Sequence, residues 1–158
     1  MKRVDSILLN ELITAASVNA RRRQHRNFHE NHDDPCQRLF VAIMPDSYIQ
    51  PHRHLVYPKD ELFVVIQGKV AVIFFSEDGE VESTFVLAAN SQSLGCEIPA
   101  GAWHTVIALE ESIFLEVKAG PYFPLPEEDR ASWAPSEGSD AAHAYLERLR
   151  AGAMSFTG

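Results

Sequence analysis

The stretch "PHRHLVYPKDE", residues 51–61, decides how this chain is read. Two of the seven histidines of the chain, His52 and His54, stand one residue apart, and Glu61 follows. On an extended backbone, residues i and i+2 project to one face about 6.6 Å apart. His52 and His54 on a strand would therefore point together into a barrel and could share one ion. Further on, "PAGAWHTV" uses a Pro-Gly turn to deliver His104 to the start of another strand. Three imidazoles and a carboxylate from three separate strands predict an open metal site. That mixed nitrogen and oxygen set suits one divalent ion per chain (Fe, Mn, Ni, Co or Zn) and leaves coordination positions for water or substrate. A lone His-x-His is more often a wet surface turn. Glu61, Gly68 after it and the downstream Pro-x-Gly-x-Trp-His together favour the metal.

Outward from this stretch the texture is that of strands. "RLFVAIM", "ELFVVI", "KVAVIFF", "ESTFVLA", "HTVIAL" and "IFLEV" are short runs rich in Val, Ile and Phe, separated by turn residues. Asp78-Gly79 and Gly68 mark hairpin turns, because glycine tolerates positive φ. Strands without intervening helices predict a mainly β fold, an antiparallel sandwich or barrel over about 37–120. Ahead of it, Leu8, Leu12, Ala15 and Ala16 recur at helical spacing, predicting a helix over about 5–20 capped by Asp5 or Ser6. The run "RRRQHRNFHENHDDP" has no apolar period and reads as loop. Beyond Gly120 a proline-rich arm leads to a short helix over about 140–151, with Ala142, Tyr145, Leu146 and Leu149 on one face. The whole chain, 1–158, reads as one domain.

Composition excludes several classes of function. The formal charge is −8 and 46% of the 158 residues are apolar, which argues against general binding to nucleic acid or to anionic lipid. There is no apolar run of about 18 residues. Asp5, Asn10 and Glu11 interrupt what would be a signal peptide. Cys36 and Cys96 fit no short zinc spacing and read as reduced thiols of a cytoplasmic protein.

The motifs resemble those of the cupins. His52, His54, Glu61 and Gly68 match the first cupin motif, and Pro99, Gly101 and His104 match the second. The resemblance implies a small β-barrel, or jelly roll, with His52, His54, Glu61 and His104 as metal ligands. The chain departs from the pattern in places: six residues separate His54 from Glu61 where three or four are usual, Asp46 replaces a glycine and Ala108 an asparagine. The longer gap makes Glu61 the ligand most exposed to doubt. Over nearly the whole chain, "RNFH", the insertion "YPKDE" and the "GPYFP...WAP" tail resemble the WbuC-type cupin fold metalloproteins, associated with O-antigen and surface-polysaccharide gene clusters. That resemblance implies a small-molecule substrate, a sugar or nucleotide-sugar intermediate.

Other residues have two readings each. His29 at the site mouth would serve as a general acid or base, or would sit in a polar loop with Asn27. Tyr48 offers a phenol, and Lys59 a cation for an anionic substrate. Of Gln37 and Arg38, alternation allows only one to face the pocket. "RRRQHR" would clamp a diphosphate, or would be a solvated helix end or subunit contact. Trp103 and Phe63, Phe74, Phe75, Phe85 and Phe114 read as packing. Three functions stand: a metal-dependent enzyme on a sugar or nucleotide-sugar, an iron-dependent oxygenase, and a non-enzymatic sugar-binding or regulatory module. Pairing as a C2 homodimer is expected, since the flanking helix and arm leave apolar surfaces to cover.

Overall fold

The structure, a computed structural model, describes residues 2–155, and among these it has eight strands, two α-helices and one short 3-10 turn. In chain order these are α1 (Ser6–Val18), β1 (Arg23–Asn27), β2 (Cys36–Ile43), β3 (Glu61–Gln67) and β4 (Lys69–Phe75). They are followed by β5 (Val81–Ala88), β6 (Gly95–Ile98), β7 (Trp103–Ala108), β8 (Ser112–Ala119) and α2 (Asp140–Met154). The strands make two antiparallel sheets, one in the order β1-β2-β8-β3-β6 and the other β5-β4-β7. This is the expected mainly β jelly roll with a helix at each end; the sheets face each other without closing on themselves.

Period-2 alternation divides the apolar residues among three layers. Between the sheets pack Val41, Ile43, Phe63, Val72, Val106 and Phe114. The outer face of the three-stranded sheet, Ala71, Ile73, Phe75, Trp103 and Ile107, is covered by Ala142, Leu146, Leu149 and Ala153 of α2. The outer face of the larger sheet, Phe40, Ala42 and Ile113, is covered by Leu12 and Ala16 of α1. Asp5 caps α1, accepting from the Leu8 backbone N–H at 3.0 Å. The buried stripe of α1 is Leu9, Leu12, Ile13 and Ala16, the i, i+3, i+4, i+7 set. Leu8 and Ala15, assigned to that face from the sequence, lie beside it.

The turns at Gly68 and Gly79 form as expected, with φ of +79° and +84°. Gly68 has a second requirement: a Cβ there would meet the Glu111 carbonyl oxygen. Three expectations need correction. First, residues 23–27 are not loop but the edge strand β1. It lacks apolar alternation because neither of its faces enters the main core, and charged residues are how sheet edges resist pairing with other chains. Second, β6 was not anticipated; its "GCEI" is too short to show a period. Third, Phe85 is about half exposed on the edge strand β5, touching Phe74 edge-to-face at 5.8 Å instead of filling the interior.

Candidate metal centre

One end of the space between the sheets is polar. Across the inner face of the larger sheet, Gln37 of β2 lies opposite Lys118 of β8, and Lys118 opposite Glu61 of β3. Glu116 lies one inward-facing position along β8 from Lys118. From the other side comes the segment carrying His52 and His54. This is not a strand, as the His-x-His spacing suggested, but an irregular stretch joined to β7 by one bridge. His52 and His104 exchange both backbone hydrogen bonds there, at 2.9 and 2.8 Å. Pro51 has no N–H to extend that ladder. Beyond His54 the buried Asp129 takes over: its Oδ2 accepts from the backbone N–H groups of Leu55 and Val56 at 3.1 and 3.0 Å. The long gap before Glu61 is absorbed by an exposed turn over residues 55–58. Glu61 consequently stays in reach.

The four side chains converge. One donor atom from each of His52, His54, Glu61 and His104 lies within 4.8 Å of every other. Donors bound at about 2.0–2.2 Å to one transition-metal ion are at most about 4.4 Å apart, so slight contraction suffices. Nδ1 of His52 is 3.1 Å from the Gln50 carbonyl, and Nδ1 of His104 is 2.9 Å from that of Ala102. A proton held on Nδ1 leaves Nε2 as a lone pair facing inward, the orientation that a carbonyl behind the ring imposes on a ligating histidine. The Nε2 atoms of His54 and His104 are 3.1 and 3.2 Å from the Glu61 oxygens. Neither approach has hydrogen-bond geometry, and both nitrogens are buried without a hydrogen-bond partner. Orphaned buried nitrogens aimed at a common point beside a carboxylate fit a metal ion; as a packed polar core they would be a cost.

The charges agree with that fit. Burial, reinforced by the neighbouring His104, holds the His52 imidazole well below its usual range, hence neutral. Burial opposes the Glu61 carboxylate, but the Lys118 ammonium outweighs it and holds its pKa well below the usual range. Lys118 Nζ is 2.7 Å from Glu61 Oε1 and 2.5 Å from Glu116 Oε1. Burial works against its ammonium, yet Glu116 and Glu61 prevail and raise its pKa. Glu116 is pushed up by burial, with Lys118 opposing and Glu61 adding to the rise. Lys118 and Glu116 escaped sequence reading because "IFLEVKAG" looks like a strand with a solvated face. The available signal was alternation: Phe114, Glu116 and Lys118 share a face with the core.

The site opens into a cavity of about 570 Å³ lined by His52, His54, Lys59, Lys118, Arg130 and the aromatic arm from Tyr122, among others. Lys59 thus faces the pocket. Asn27, His29 and Gln37 do not line this cavity but a smaller one of about 280 Å³ behind Lys118 and Glu116. There His29 is buried, its Nδ1 accepting from the Arg38 N–H at 3.0 Å. Arg38 turns outward to Asp34 at 3.2 Å, while Gln37 is buried and donates to the His32 and Asp34 carbonyls. Tyr48 lies in the α2 layer, its hydroxyl donating to the Pro135 carbonyl at 2.7 Å, and lines neither cavity.

Residues 4–87 match the family described as a domain of unknown function, DUF6016, and the chain belongs to that family. No curated protein matches the sequence. Among solved structures the chain is similar to a cupin superfamily protein from Desulfitobacterium hafniense, with 12% identity and a TM-score of 0.52 over 68% of this chain and 86% of that one. It is similar to KdgF from Halomonas sp., with 19% identity and a TM-score of 0.50 over 67% and 85% of the two chains. The TT1209 protein from Thermus thermophilus gives 21% and 0.52 over 75% and 97%. At these identities the likeness concerns fold, and the fold is that of the cupins. No helix among the described residues is long and apolar enough to cross a membrane.

Proposed function

We propose that this DUF6016 chain is a mononuclear metal-dependent cupin enzyme acting on a small polar metabolite, a sugar or nucleotide-sugar intermediate of surface-polysaccharide synthesis. The observation that carries the enzymatic reading is the convergence of buried, partnerless His54 and His104 Nε2 atoms with Glu61, in a cluster whose His52 and His54 line an open cavity. A metal that merely staples a barrel needs no such opening. The substrate class rests on the likeness of residues 26–61 and the proline-rich tail to WbuC-type proteins, and on a cavity of the size that takes small molecules, roughly 300–1,000 Å³.

His52, His54, Glu61 and His104 would hold the ion, which when bound supplies a Lewis acid for a carbonyl or activates a water. The chain's own residues orient and select. Lys118 fixes one Glu61 oxygen, and Asp129 fixes the segment bearing His54. Lys59 projects into the cavity, where it can orient an anionic group or move a proton. The test compares metal-free with metal-reloaded protein on a panel of sugar phosphates and nucleotide-sugars, read by product mass, with oxygen uptake recorded. Turnover that needs the metal supports the proposal, and equal turnover without metal removes it. Oxygen consumption with product would shift the reading to an oxygenase, and saturable binding without product to a sugar-binding module.

A homodimer belongs to the same proposal. The outward face of β3 leaves Leu62 and Ile66 exposed. Two copies could cover this stripe, and the mass in solution of the wild type and of Leu62→Asp decides it.

A further inference from the structure

The wall of the large cavity carries more positive charge than its carboxylates neutralise. Five cations line it: Arg21, Arg23, Lys59, Lys118 and Arg130. Two are structural. Arg23 is buried and forks onto Glu137, with both Nη2 contacts at 2.6 Å, and Lys118 is held between Glu61 and Glu116. The other three are not held by any buried carboxylate among the described residues. Arg21 has its backbone anchored, its carbonyl accepting from Ser47 Oγ at 2.7 Å, but its guanidinium has no carboxylate partner among the described residues. Lys59 reaches only the Pro121 carbonyl, at 3.4 Å. Arg130 donates to the Leu125 carbonyl at 3.3 Å, and its carboxylate neighbour Glu127, at 3.8 Å, also lines the cavity but is 92% exposed, so that water screens the pair. In a chain of formal charge −8, three cations without a buried carboxylate partner facing one cavity are a concentration that folding alone does not require.

The topology explains how they meet. Alternation along β1 turns Arg23 and His25 toward the cavity, and Arg21 before the strand lines it as well. Arg22 between them turns away to Asp46 at 2.8 Å. Lys59 comes from the insertion after the His-x-His segment, and Arg130 from the arm that the second bridge of His52 pins in place. A planar carboxylate is satisfied by one bidentate arginine. Cations approaching from three elements suit the tetrahedrally disposed oxygens of a phosphate dianion. Tyr122, Phe123, Pro124 and Leu125 line the same cavity with apolar surface.

We propose that this wall binds the phosphate group of a phosphomonoester substrate through Arg21, Lys59 and Arg130, placing the rest of the molecule against His52 and His54, the two residues of the metal cluster that line the cavity. The placement of the reacting end rests on the function proposed above; the phosphate site does not.

The test is calorimetric binding of phenyl phosphate to the metal-loaded wild type and to metal-free His54→Ala. Each is compared with its Arg21→Gln/Arg130→Gln derivative, with Arg148→Gln as a control on α2 away from the cavity. The inference expects the double substitution to weaken binding by at least about ten-fold in both backgrounds, from the loss of charge-assisted hydrogen bonds. Arg148→Gln should leave affinity unchanged, and the melting temperature should hold because neither substituted arginine neutralises a buried carboxylate. Unchanged affinity in the double variant overturns the inference. Binding abolished by His54→Ala and indifferent to the arginines also overturns it, by placing the anion on the metal. Phenylacetate binding as tightly as phenyl phosphate overturns the phosphate assignment. Arginine-dependent binding to a protein that takes up no metal would leave this site standing and remove the proposed metal chemistry.

Discussion

Asp129 is the residue on which the ligand geometry leans without touching a ligand, and Asp129→Ala makes that dependence measurable. The carboxylate is 1% exposed. Its Oδ2 accepts from Leu55 and Val56, its backbone carbonyl accepts from the Arg53 N–H at 2.9 Å, and Oδ1 faces Arg53 Nε at 3.7 Å. Alanine removes two hydrogen bonds to a charged acceptor and leaves two backbone donors to find water at a partly buried site. Bonds of this kind are worth about 1.5–3 kcal/mol each, and partial burial argues for the lower end, about 3 kcal/mol together. For a chain of this length each kcal/mol moves the melting temperature by roughly 2–4 °C, so the loss should be about 6–12 °C. Asp129→Asn keeps one oxygen acceptor without the charge and should lose about half as much. Freed from its anchor, the His52–His54 segment should hold a metal about ten-fold or more weakly, as second-shell losses do. Thermal melts of metal-free protein and chelator competition read the two effects separately. Asp129→Ala melting within about 2 °C of wild type, with unchanged metal affinity, would refute the account of what positions the histidines.

Two further outcomes follow from buried groups. Lys118→Met leaves the buried Glu61 and Glu116 carboxylates facing one another and should cost about 3–5 kcal/mol in urea unfolding, much of it restored by adding Glu116→Gln. A loss under about 1 kcal/mol would show the triad to be solvated. Burial pushes the Cys96 thiol up to about 11, so at pH 8 only on the order of one molecule in a thousand carries the thiolate. Iodoacetamide at that pH should modify the exposed Cys36 and spare Cys96, with Cys96 labelling rising as the pH approaches 11. Equal labelling at pH 8 would contradict its burial.

Much of the site was legible because its chemistry is concentrated in few residues. His52, His54, Glu61 and His104 are named by spacing and resemblance, and the turns at Gly68 and Gly79 by their conformational need. The strand cores were legible because β-branched and aromatic runs bounded by turn residues have few other uses. What escaped depends on partners distant in sequence. β1 carries no apolar period because its inward residues face a polar cavity and its neighbour along the chain is α1. Glu116 and Lys118 look like a solvated face until β2 and β3 flank them. Asp129, in a proline-rich arm, acquires its role only when residues 51–56 fold back upon it. The distinction within "RRRQHR" between Arg22, paired with Asp46, and Arg21 and Arg23, which line the cavity, needs a strand where periodicity showed none.

One donor atom from each of His52, His54, Glu61 and His104 lies within 4.8 Å of every other, an arrangement that should hold a metal ion. Elemental mass spectrometry on untagged wild type and on His54→Ala, purified side by side, tests it most directly. The account predicts close to one equivalent of a transition metal in the wild type, lost in the variant. A folded wild type that carries no metal and takes none up when it is supplied would contradict it.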